Sequence, residues 1–123
     1  MYRKLGDGKL CSMDWTVQPD IHLGAKLSRV AARGTLCVRI LDAETLLASL
    51  GGTDPESRME KRVTRVVRDR LTAVLDHQVH RAEELDSRFN EVATEARLGL
   101  KHQLHRMGLD LVDFTILGLG FRR

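Results

Sequence analysis

Aromatic side chains are scarce: one Trp, one Tyr and three Phe stand among 123 residues. So few rings exclude the interleaved aromatic platform on which single-stranded nucleic acid stacks. Cysteine is limited to Cys11 and Cys37, in neither Cys-x-x-Cys nor scaffold spacing, which excludes a disulfide framework and suits a reducing cytoplasm. No apolar run approaches the ~20 residues of a membrane-spanning helix. The opening Met-Tyr-Arg-Lys-Leu-Gly-Asp-Gly is no secretion signal. An excess of one charge is also missing, since 20 basic against 17 acidic side chains leave only +3. That balance governs solubility rather than marking a polyanion binder. What is present is 42% apolar content, enough for an ordinary core in a single domain.

Signatures of catalysis are absent as well. There is no G-x-S-x-G elbow, no Walker loop and no G-x-G-x-x-G between a strand and a helix. Acidic residues are spread along helix faces rather than paired in apolar surroundings, where their pKa would shift usefully. Gly118-Leu119-Gly120-Phe121 spells the carboxylate-binding loop of PDZ domains, but with no domain following it the match reads as coincidence. Cys37 has strand residues on both sides and no adjacent base, so it reads as a buried structural thiol. The chain is expected to be no enzyme and to hold no cofactor.

Residues 1–25 read as a lead-in with one short, truncated edge strand in the Met13–Val17 stretch around Trp15. From there a domain over 26–121 is expected. Leu27 to Ala32 reads as a strand, Arg33-Gly34 as a hairpin turn, and Leu36, Val38 and Ile40, alternating with Cys37 and Arg39, as the returning strand. Asp42 caps a short helix, Ala43 to Leu50, with Leu46, Leu47 and Leu50 on one face and Gly51-Gly52 as its stop. Thr53-Asp54-Pro55-Glu56 starts a long helix running to about His80. Its apolar stripe is Met59, Val63, Val66, Val67, Leu71, Val74 and Leu75.

A second long helix starts near Glu83, with Leu85, Phe89, Val92, Ala96, Leu100, Leu104 and Met107 on one stripe. Early acids and late bases suit its dipole, and Gly108 caps its end. Gly99 inside it predicts the close approach of another backbone. Leu109 to Leu119 then reads as a final strand with Val112, Phe114 and Ile116 inward. The fold class is α+β: a small sheet, an N-terminal β-hairpin plus a C-terminal strand, covered by two long antiparallel helices and one short helix.

Two groups of side chains invite a functional reading. His77 with His80, and His102 with His105, form two H-x-x-H pairs that could ligate zinc or copper. In antiparallel helices the pairs fall at opposite ends of the bundle, so no metal site is assigned within one chain, and one between subunits stays open. The other group is Arg58, Lys61, Arg62, Arg65 and Arg68, a basic stripe on the long helix. It suits phosphates of lipid or nucleic acid. It suits equally a solvated face relieved by Glu60 and Asp69, or a subunit contact with the acids of the second long helix.

Gly34-Thr35-Leu36-Cys37-Val38-Arg39-Ile40-Leu41-Asp42 resembles the hairpin strand of the stomatin–prohibitin–flotillin (SPFH, band 7) superfamily, most of all its bacterial virion core protein-like branch. The Gly51-Gly52 break with a long helix after it, and the close Gly108-Leu109-Asp110-Leu111-Val112-Asp113-Phe114-Thr115-Ile116, are similar too. The resemblance implies a non-catalytic α/β module that assembles side by side into a homo-oligomer and organises other proteins. It implies a cytoplasmic place, peripheral to the inner face of a membrane. The chain departs from the family pattern in its late start, its missing N-terminal anchor and its stop at Arg122-Arg123, as an excised domain or a reduced homologue would. The rival expectation is a basic module that takes anionic lipid or, with less support, nucleic acid on the Arg58–Arg70 face.

Overall fold

The computed structural model describes residues 6–51 and 54–122. The first five residues of the lead-in, Gly52 of the glycine break, Thr53 of the helix start and Arg123 lie outside them. In chain order come β1 (Leu10–Val17), β2 (Asp20–Leu23), β3 (Lys26–Ile40), α1 (Ala43–Leu50), α2 (Pro55–Gln78), α3 (Glu84–Ser87), α4 (Phe89–His105) and β4 (Leu109–Phe121). The fold is α+β, with a small antiparallel sheet and the two long helices α2 and α4.

The sheet is organised by β3, which pairs antiparallel with the other three strands. β1 takes up Ala32 to Arg39 of β3 and β2 takes up Lys26 to Arg29. Val17 opposite Ala32 and Asp20 opposite Arg29 keep one register, and the Val30 amide donates to the Pro19 carbonyl between them. β1 and β2 are therefore one long edge interrupted at Gln18-Pro19, where proline has no N–H to give. β4 lies on the other side of β3, opposite Val30 to Ile40.

This corrects the expected hairpin. β3 runs straight through Arg33-Gly34, and the turn sits nine residues earlier, at Gly24-Ala25. A two-residue connection with positive φ at its first position alone (Gly24, φ 64°) is a type II′ turn, the kind whose twist matches its strands. The expected lead-in is likewise two sheet strands over its described part rather than one short edge strand. Gly118-Leu119-Gly120-Phe121 is strand, not loop.

One sheet face carries the core. Even-numbered β3 residues Val30, Ala32, Leu36, Val38 and Ile40 are buried, with Trp15, Val17 and Ile21 beside them. The α2 stripe expected from sequence is buried throughout, Met59 to Leu75, and so are Leu85, Val92, Ala96, Leu100, Leu104 and Met107; Phe89 is half-buried. In α1 only Leu46 is buried, whereas Leu47 is 42% exposed, because an eight-residue helix on the end of the sheet hides a narrower stripe than three leucines occupy.

β4 departs from simple alternation. Its inward residues are Leu109 and Leu111, then Phe114 and Ile116, then Leu119 and Phe121, so the period of two is broken twice. The register shifts between Cys37 and Val38 and between Arg33 and Gly34, leaving Val112 and Leu117 as extra residues. Both are bulge positions and both face out, which corrects the inward place expected for Val112.

The helix ends show where sequence cues hold. Asp42 caps α1, its carboxylate accepting from the Glu44 and Thr45 amides at 3.1 and 3.2 Å and from the Thr45 hydroxyl at 2.8 Å. Asp54 precedes α2 but makes no such bond and sits in the left-handed region, so the expected side-chain cap is not formed there. The second long helix is two: Arg88, at φ −104° and ψ 18°, separates α3 from α4. Glu84 holds the connection from α2 into α3, accepting from the His80 and Arg81 amides at 2.9 and 3.0 Å. Gly108 (φ 84°) follows α4, and its carbonyl takes the amides of Leu41 and Asp42 at the start of α1. A Cβ there would stand 2.5 Å from the Asp42 carbonyl oxygen, so this junction of two helices and two strands requires glycine.

The hydroxyl and amide bonds to Asp42 hold its carboxyl below the usual range, and the His80 amide foremost does the same for Glu84. A folded-state pKa that is depressed stabilises above the unfolded value and stops doing so as pH falls through the folded one. Melting temperature is expected to decline as the buffer is taken below about pH 5. Asp42→Asn keeps an acceptor for the cap but removes the titration, so its thermal profile against pH should be flatter than that of the wild type. A profile of unchanged slope would assign the acid sensitivity elsewhere.

Candidate interaction surface

α2 is amphipathic, so burying its stripe turns the expected cations outward. Arg58, Lys61, Arg62, Arg65 and Arg68 are all exposed. Arg68 is engaged by its neighbour Asp69, with Nη2 and Nε at 3.2 and 3.3 Å from Oδ1. Among the described residues, Lys61, Arg62 and Arg65 make no ion pair.

The structure does not use this stripe evenly. Lys61, Arg65 and Arg68 line one wall of an open groove of about 500 Å³, with Thr64 among them. Thr16, Val17 and Gln18 form the opposite wall. Arg58 and Arg62 are outside the groove wall. A cation the sequence did not point to joins instead. Arg29 of β3 reaches the groove while its Nε donates to Asp20 Oδ1 at 3.0 Å, a bond that raises the guanidinium pKa further above its already high value. Arg29 was hidden by the misplaced turn, because only the register set by Gly24 puts it level with Asp20 and near Gln18.

Towards the start of α2 the same β1 edge borders a second groove with the opposite charge. Glu56, Met59 and Glu60 face Cys11, Ser12 and Met13 there, and Lys9 lies 3.8 Å from Glu56. Cys11 and Met13 are half-buried, so the floor of this groove is only partly covered. Along β1, then, α2 presents acid at one end and base at the other.

The histidines are placed apart. His77 Nδ1 is 2.9 Å from Glu95 Oε1, and Gln78 donates to the same carboxylate at 3.0 Å, tying α2 to α4. Arg70, seven residues earlier, meets Gln103 at 3.0 Å, so the two long helices are antiparallel. His102 and His105 therefore lie about 10–15 Å along α4 from the level of His77, at 1.5 Å per residue. No cluster of three or more His, Cys, Asp or Glu among the described residues is placed to hold a metal. Gly99 does mark a close approach, but of the Arg70 side chain rather than of a backbone, since a Cβ would meet Arg70 Cδ and Nε at 2.7 Å. Cys37 is half-buried rather than buried, on the outer sheet face beside Ser12 and Thr35.

No described helix is long and apolar enough to cross a membrane. Searching curated proteins returns no match. A family description, SPFH domain-Band 7 family, matches residues 2–122.

Proposed function

We propose, from the premise that this chain belongs to the SPFH domain-Band 7 family, that it is a self-assembling scaffold that organises partner proteins at an anionic membrane surface. Domains of this family are in general non-enzymatic and serve scaffolding or membrane-associated roles. The observation that carries the finer reading is the sheet itself. β3 is saturated on both sides, while the outer edges of β1 and β4 pair with no described strand. Such edges offer main-chain donors and acceptors to another chain. Within the family, the Gly34–Asp42 strand is what supports reading the chain as one of the virion core protein-like branch.

The test is native mass by light scattering over a range of protein and salt concentrations. A discrete multimer is expected, with its mass falling when Arg62 and Arg65 are both changed to Glu. An unchanged mass in that variant would remove the charged face of α2 from the assembly.

A second reading is favoured by the groove of Lys61, Arg65, Arg68 and Arg29: a binding site for phosphates of anionic lipid or, less well supported, nucleic acid. It requires retention on anionic vesicles or duplex DNA at low salt that falls steeply as salt rises.

A further inference from the structure

The two grooves along β1 carry opposite charges, and that arrangement is self-complementary. We infer that β1 pairs antiparallel with β1 of a second copy of this chain across a two-fold axis normal to the sheet. α2 then lies beside its symmetry mate on the same sheet face. The inference rests on the self-association reading above and names the surface and the symmetry.

The main chain comes first. The Ile40 amide donates to the Lys9 carbonyl, and the Val30 amide to the Pro19 carbonyl. Odd-numbered residues of this edge therefore point their backbone groups at β3. By the alternation of an antiparallel pair, Leu10, Ser12, Asp14 and Thr16 point theirs outward. Four consecutive outward positions make a ladder, and it stops where Pro19 interrupts the edge. An extended segment laid along it also covers Cys11 and Met13, which α2 leaves half-exposed.

Charge then selects the occupant. Glu56 and Glu60 flank the start of the edge, and Lys61, Arg65 and Arg68 flank its end. A two-fold axis reverses the second copy, so the acidic end of each α2 meets the basic end of the other, twice per dimer. Glu60 falls opposite Arg65 of the second copy. The alternative, extending the sheet by translation, sets β4 of the next copy beside β1 in the same direction. Asp110 and Asp113 of that β4 lie on the sheet face opposite α2, so this arrangement does not bring the two ends of α2 together. Electrostatic matching of this kind decides register and partner.

The experiment uses two single variants of the whole chain, Glu60→Arg and Arg65→Glu, each checked by circular dichroism for unchanged secondary structure. Both positions are exposed and five residues apart on α2, so neither is the other's helical neighbour. Each variant alone puts like charge against like at both contacts, and its self-association should weaken about tenfold or more. Mixed in equal amounts they restore both contacts, and the mixture should return to the wild-type dimer mass by sedimentation velocity. Single variants that dimerise as the wild type does, or a mixture that stays monomeric, would overturn this interface while leaving self-association standing. A wild-type chain that is monomeric at every concentration overturns the self-association reading, and the interface with it.

Discussion

Gly34→Val is expected to leave no cooperative unfolding transition, and Gly34→Ala to lose about 3 kcal/mol or more in urea denaturation. The glycine needs no special backbone angle, because its φ is not among the positive ones. It needs space. It lies at the centre of β3, with Trp15 of β1 opposite on one side and Ile116 of β4 on the other. A Cβ there would run into the carbonyl oxygen of Thr115 and stand 2.6 Å from Trp15 Cζ2. The indole could swing away, but the Thr115 carbonyl belongs to a strand at a bulge and cannot move without dislodging its ladder. A domain of this size has total stability of about 5–15 kcal/mol, so even one methyl group takes a large share. An alanine variant as stable as the wild type would mean that β4 slides along β3 at little cost.

The second large effect is at Trp15, which is 2% exposed and stacks on Phe114, ring centroids 5.4 Å apart and planes 7° from parallel. Trp15→Ala removes the largest core side chain and leaves the Phe114 ring without its stacking partner, and a loss of about 3–5 kcal/mol is expected. Trp15→Phe should cost much less. The indole Nε1 is buried without a hydrogen-bond partner among the described residues, so phenylalanine discards an orphaned donor while keeping a ring for Phe114. Denaturation followed by far-ultraviolet circular dichroism measures both, since the only tryptophan is the residue replaced. Because the two sites touch, W15A and G34A should be non-additive: the alanine at 15 frees one side of position 34, and the Thr115 carbonyl still blocks the other.

Much of the helical layer was legible because its signals are local. Asp42 before Ala43, Gly51 after Leu50, and an apolar stripe from Met59 to Leu75 each announce an element through residues a few positions apart. The sheet was harder. Arg33-Gly34 has good turn chemistry, yet Gly34 serves a close approach that only the neighbouring strands reveal, and the true turn at Gly24-Ala25 lies in a stretch whose glycines and proline give no clear strand pattern. The bulges at Val112 and Leu117 were equally hidden, because alternation assumes an unbroken ladder and nothing local marks where a partner slips by one. Of the candidate surface, the five α2 cations were readable from spacing. That three of them share a wall with Arg29, and that Glu56 and Glu60 lie on the same β1 edge, depended on long-range register.

The central position of β3 also sets an order of events during folding. Its pairing with β1 and β2 closes through a two-residue turn, whereas Ile40 meets Leu109 and Val30 meets Phe121 only after all four helices intervene in the chain. The hairpin side is a fast, local step; the β4 side is a contact of high sequence separation and is correspondingly slow. As the polypeptide leaves the ribosome, β3 waits with one flank unsatisfied until β4 has emerged. During that interval Leu36, Val38 and Ile40 sit on an open-sided ribbon, whose unpaired edge and exposed apolar residues are prone to aggregation.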